Sequence, residues 1–74
     1  MFYTWYKLWR NRRSANKYGW KVHWFGAWNF DKELIERVKS FQKMEGLLDT
    51  GICNKKTYQH ALLKILKGIS RRKH

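Results

Sequence analysis

Apolar and polar positions follow a helical period in the second half of the chain and no single period in the first. Leu34, Ile35, Val38 and Phe41 fall at i, i+1, i+4 and i+7, one face of an amphipathic helix. The flanking residues agree with that reading. Asp31 offers an N-cap carboxylate to the free amides of the first turn, Glu33 lies near the positive end of the helix dipole, and Lys39 and Lys43 lie towards the negative end. Gly46 suits the left-handed residue that closes a helix. These signals predict a helix over roughly 32–45. Leu47 to Ile52 then form a short turn around Gly51, and Asn54 can cap a second helix. The buried stripe of that helix is expected at Tyr58, Ala61, Leu62, Ile65 and Ile69, with Gly68 near its end. Residues 1–70 are expected to form one small domain and residues 71–74 a basic tail.

The first 30 residues read two ways. Strand alternation would set Tyr3, Trp5, Lys7 and Trp9 on one side and Phe2, Thr4, Tyr6 and Leu8 on the other. Helical spacing links Trp5, Leu8, Trp9 and Arg12 equally well. Gly19 and Gly26 bracket a strand-like stretch in which Trp20, Val22 and Trp24 alternate with Lys21 and His23. Trp5 and Trp9 are the expected core pair of this segment.

Composition narrows the class. With 43% hydrophobic and 18% aromatic residues, the chain has enough apolar surface to fold. At 74 residues it has room for one small core and a binding surface. Charge is lopsided: 17 Lys and Arg against 5 Asp and Glu give a net charge of +12. All the acids lie between Asp31 and Asp49, so both ends of the chain are purely basic. Such a balance favours anionic partners: nucleic acid, phosphate-bearing wall polymers or acidic membrane surfaces.

Chemistry is sparse by comparison. The single cysteine, Cys53, has no thiol partner for a disulfide or a metal pair, and its apolar surroundings predict a small buried side chain. His23, His60 and His74 show no ligand spacing, and Ser14, Ser40 and Ser70 have no base nearby in sequence. The chain is therefore expected to hold no metal or cofactor and to catalyse nothing. No segment approaches the length of a membrane span, and the N-terminus lacks the pattern of a signal peptide. Synthesis in the cytoplasm, with the final location left open, is the matching expectation.

The run from Phe30 to Gln42, followed by Gly46-Leu47, Gly51-Ile52, Lys56-Thr57-Tyr58 and Leu62, resembles the peptidoglycan-binding-domain-like family. The resemblance covers about 30–62 without a gap. Gly19-Trp20-Lys21-Val22 extends it to 19–62 if one inserted residue is allowed. Asp31 and Asn54 stand where the family usually has glycine, and Asp49 lies one residue early for the usual Asp-Gly pair. Arg and Asn also occupy expected core positions between Leu8 and Tyr18.

The resemblance implies a mostly α fold, a small three-helix bundle with a helix–turn–helix core. An N-terminal β-hairpin plus two helices is the alternative. Phe30, Val38, Phe41, Gln42, Gly46, Leu47, Gly51, Ile52, Thr57, Tyr58 and Leu62 would be its architectural residues. Gln42 is placed to satisfy backbone groups of the following turn, and Thr57 to bond back into it.

Function then falls to side chains outside that set. Trp20, Trp24 and Trp28 recur every fourth residue and could stack on sugars or nucleobases. Arg10, Arg12, Arg13 and Lys17 could pair with carboxylates or phosphates. The resemblance implies a non-catalytic module binding peptidoglycan or another anionic wall polymer, of the kind a phage virion or lysis protein would carry. A basic nucleic-acid-binding protein is the second reading. A structural subunit docking to other proteins of a virion or assembly is the third.

Overall fold

The computed structural model describes residues 2–72, with side chains from 4 to 67. Three α-helices and one 3-10 turn account for its regular structure: α1 (Phe2–Tyr18), the 3-10 turn (Val22–Phe25), α2 (Lys32–Met44) and α3 (Lys55–Arg72). The architecture is a small three-helix bundle, and among the described residues there is no strand. The expected three-helix architecture is therefore present, and the alternative N-terminal hairpin is excluded by α1. Gly19, at φ 82°, ends α1 with its amide bonded to the Ala15 carbonyl at 2.7 Å. The strand-like stretch is corrected too. Its residues wind into the 3-10 turn, closed by Gly26 at φ 81°, so that Trp20 and Phe25 point into the core.

The caps expected of α2 and α3 are in place. Asp31 Oδ1 accepts from the Leu34 amide at 3.2 Å, and Asn54 Oδ1 accepts from the Thr57 amide at 2.9 Å. Gly46, at φ 73°, lets the Leu47 amide fold back onto the Gln42 carbonyl at 2.8 Å and so closes α2. α3 runs on through Gly68 to Arg72, so the expected basic tail begins inside the helix. The side chain of Ile69 and residues 73–74 lie outside the described set.

Trp20, Phe25, Ala27, Leu34, Val38, Cys53 and Ala61 form the core. Trp20 is its largest member, edge-on to Phe25 at 5.3 Å and beside Phe30 at 5.9 Å. Its indole N–H donates to Ser14 Oγ at 2.9 Å, which satisfies the one polar atom that burial would otherwise strand. Phe41 meets Phe25 edge-on at 5.5 Å, while Tyr58 lies between the rings of Tyr18 and Trp24. Val38, Gln42, Gly51 and Thr57 are buried as expected. Phe41, Leu47, Ile52, Tyr58 and Leu62 are only half-buried, because the 3-10 turn supplies Phe25 and flanks it with Trp20 and Ala27 at the centre. Trp5 and Trp9, the expected core pair, face solvent at 72% and 45% exposure. The reason lies in what α1 packs against.

The inward side of α1 meets the backbone of the turn between α2 and α3. Asn11 is fully buried there; its Nδ2 donates to the Gly51 carbonyl at 3.1 Å and its Oδ1 accepts from the Cys53 amide at 2.8 Å. Ser14 Oγ donates to the Cys53 carbonyl. From the other side Gln42, also fully buried, accepts from the Gly51 amide at 2.9 Å through Oε1. Its Nε2 donates to the Ile52 carbonyl at 2.9 Å and to Thr57 Oγ1 at 3.0 Å. One turn thus ties all three helices together through side-chain amides and hydroxyls. Gly51 has φ 80°, and a Cβ there would stand 2.7 Å from Ile35 Cγ2, so the turn fits against α2 only with glycine.

Glu45 makes a second tie between α2 and α3. Its carboxylate accepts from His60 Nδ1 at 3.0 Å and lies 3.2 Å from Lys64 Nζ. The hydrogen bond from His60, then that from Lys64, holds its carboxyl below the ordinary 4.5. A carboxyl lowered in the folded state stabilises the fold above its unfolded value, and that stability is lost as pH falls through the folded value. Thermal melts taken at pH values below 4.5 are therefore expected to show a steeper decline for the native chain than for Glu45→Gln. Parallel declines would show that the contact contributes nothing.

Candidate anion-binding groove

The residues of α1 divide by the turn-backbone contact. Asn11 is buried and Thr4, Lys7, Leu8, Ser14, Ala15 and Tyr18 are half-buried, which leaves Trp5, Tyr6, Trp9, Arg10, Arg12, Arg13, Asn16 and Lys17 outside. The outward residues pair cation with ring. Arg13 lies 5.0 Å above Trp9, Lys17 lies 5.5 Å from Tyr18, and Arg12 lies 5.5 Å from Phe30. Arg10 sits 5.6 Å from the ring of Tyr6 and donates to its hydroxyl at 2.6 Å. Stacking of this kind limits the rotamers open to long side chains, so less freedom is lost when they meet a ligand.

Between α1 and the segment 52–55 runs an open groove of about 820 Å³. Trp9, Arg10, Arg13, Lys17 and Tyr18 line one wall, and Ile52, Cys53, Asn54 and Lys55 line the other. No lining residue is acidic. Four cations therefore face a shared space with no carboxylate to neutralise them, a setting that concentrates anions. In that second wall, burial pushes the Cys53 thiol up to about 12, although the Ser14 hydroxyl opposes the shift. A thiol held protonated in this way is no nucleophile at neutral pH. Among the described residues, no three His, Cys, Asp or Glu side chains come together as a metal site would need.

The structure sorts the candidate residues read from the sequence. Arg10, Arg13 and Lys17 come together in the groove. Arg12 lies outside its lining, over Phe30. Trp20 is removed as a ligand-stacking candidate, since it is 1% exposed and fills the core. Trp24 is half-buried with a ring face stacked on Tyr58, so its role is packing. Trp28 is 84% exposed but does not line the groove.

Trp9, Tyr18 and Lys55 are among the groove residues that the sequence does not mark as ligand contacts. The sequence places Trp9 in the core, and Lys55 lies 38 positions from Lys17 in the chain, so only the fold joins them. No protein-family model, characterised protein or solved structure matches the chain.

Proposed function

We propose that the chain is a non-catalytic module that binds an anionic polymer of the bacterial cell wall in the groove between α1 and the turn before α3. The observation that carries this reading is the set of Arg10, Arg13, Lys17 and Lys55 around one acid-free groove with Trp9 on its wall. Guanidinium groups match carboxylates and phosphates in bidentate geometry, and an indole offers a flat surface to the apolar face of a sugar. Peptidoglycan, with its glycan strands and stem-peptide carboxylates, presents both kinds of group. The resemblance of residues 30–62 to the peptidoglycan-binding-domain-like family supports the same ligand class. A phage virion or lysis system is one setting in which such a module would meet the wall.

Co-sedimentation with purified sacculi tests the reading. The native chain is expected in the pellet. Arg13→Glu or Lys55→Glu is expected to weaken retention by at least about tenfold, because each reversal puts a like charge against the ligand. Both side chains are exposed, so neither change disturbs the core. Retention equal to that of the native chain would contradict the groove as the site.

A second reading, nucleic-acid binding, is favoured by the same absence of carboxylates. Its signature is salt dependence: four groove cations that each neutralise a phosphate would give a log–log slope of about −3 to −4 on duplex DNA. A flat salt response with oligonucleotides would remove it.

A further inference from the structure

α1 has its chemistry reversed. Its buried residue is the amide Asn11, with the half-buried Ser14 beside it, whereas Trp5, Tyr6 and Trp9 stand outside at 72%, 44% and 45% exposure. The hydrogen-bonding inner side is explained by the turn backbone it holds. Among the described residues none buries the aromatic outer side, and exposing several large rings on one helix face is costly unless something covers them. The covering partner must accept aromatic rings and cations side by side, since Arg10, Arg12, Arg13 and Lys17 share that outward side and residues 1–30 contain no acid.

We infer that the outer face of α1 seats the protein on an anionic lipid surface, with Trp5, Tyr6 and Trp9 at headgroup depth and the neighbouring arginines on lipid phosphates. Tryptophan and tyrosine prefer this boundary because a ring can enter the apolar side while its N–H or O–H stays wet. Helices that lie in the interface combine such rings with Arg and Lys. α1, at 17 residues and about 25 Å, is long enough to lie along the surface as a rod.

The cation–ring stacking separates this partner from single-stranded nucleic acid. Arg13 covers one face of Trp9 and Arg10 one face of Tyr6, so these two rings keep only their other face for a stacking base. Lipid headgroups make no such demand on ring faces. Self-association through this face is opposed by the net charge of +12 on each copy. The inference shares Trp9, Arg10, Arg13 and Lys17 with the groove of the wall-polymer reading, but Trp5, Tyr6 and Arg12 do not line that groove, so a change at Trp5 tests it separately.

Flotation of the full chain with vesicles provides the test, using mixed phosphatidylglycerol and phosphatidylcholine against phosphatidylcholine alone. The native chain is expected to float with the anionic vesicles and to stay behind with the zwitterionic ones. Trp5→Ser is expected to weaken vesicle binding about fivefold or more. It should leave sacculus retention and the helical circular-dichroism signal unchanged, since Trp5 lies outside both groove and core. Vesicle binding lost with sacculus retention kept would thus separate the two surfaces. Absence of the native chain from anionic vesicles would overturn the proposal. So would equal vesicle binding by Trp5→Ser, which would mean diffuse charge attraction alone, or binding to single-stranded DNA in place of vesicles.

Discussion

Asn11→Leu is expected to lower the stability of the chain by about 3–5 kcal/mol, although the substitution swaps side chains of similar volume. Asn11 is fully buried and satisfies two backbone groups of the distant turn, the Gly51 carbonyl and the Cys53 amide. Leucine can satisfy neither, and each buried orphan costs about 1–3 kcal/mol. A chain of 74 residues has a total stability of about 4–11 kcal/mol, so this loss consumes much of it. Urea titration measures the change directly. In a thermal melt it should appear as a midpoint lower by about 12 °C or more. A loss below about 1 kcal/mol would show that α1 is not held by this contact.

Gln42→Leu is expected to cost about 2–4 kcal/mol by the same logic from the other side of the turn. The Gly51 amide loses its acceptor and Thr57 Oγ1 its donor, whereas the Ile52 carbonyl still accepts from the Asn54 amide at 2.9 Å. Two groups are thus orphaned and not three, which keeps the expected cost close to that at Asn11. The two residues grip adjacent atoms of one turn, so the double variant should lose less than the sum of the single losses. Once either side chain has released Gly51, the other has less to hold. Strict additivity would mean that the turn is held by two independent contacts and does not act as a shared tie.

Gln42 was legible in the sequence because its contacts are local. It lies at the end of α2, nine residues before the Gly51 amide it satisfies, and the resemblance of residues 30–62 already marked it as an architectural residue of the following turn. The same holds for the Asp31 and Asn54 caps and for Cys53, whose apolar neighbours foretold burial. Asn11 was not legible. Its partners lie 40 and 42 positions away, and nothing near it in the chain distinguishes a buried amide from a solvated one. Pattern reading places apolar residues inside a helix, so it sent Trp5 and Trp9 to the core and left Asn11 outside. The structure exchanges them because α1 packs on backbone that needs hydrogen bonds.

Trp20 was misplaced for a related reason. Its spacing with Trp24 and Trp28 suggested one exposed face, but Gly19 and the 3-10 turn give the three rings separate fates: buried, half-buried and exposed. The groove was half legible. Arg10, Arg13 and Lys17 were visible as a basic run, while Lys55 and the ring of Trp9 join them only when α1 docks on the turn.

Whether that groove receives an anionic wall polymer can be read from nuclear magnetic resonance chemical shifts during titration with soluble muropeptide. A short DNA duplex serves as the parallel ligand. Muropeptide is expected to move the signals of Arg10, Arg13, Lys17 and Lys55 together with the Trp9 indole N–H, while the buried Trp20 indole stays fixed. Shifts confined to other surfaces, or a groove that stays silent to muropeptide and responds only to DNA, would contradict the assignment.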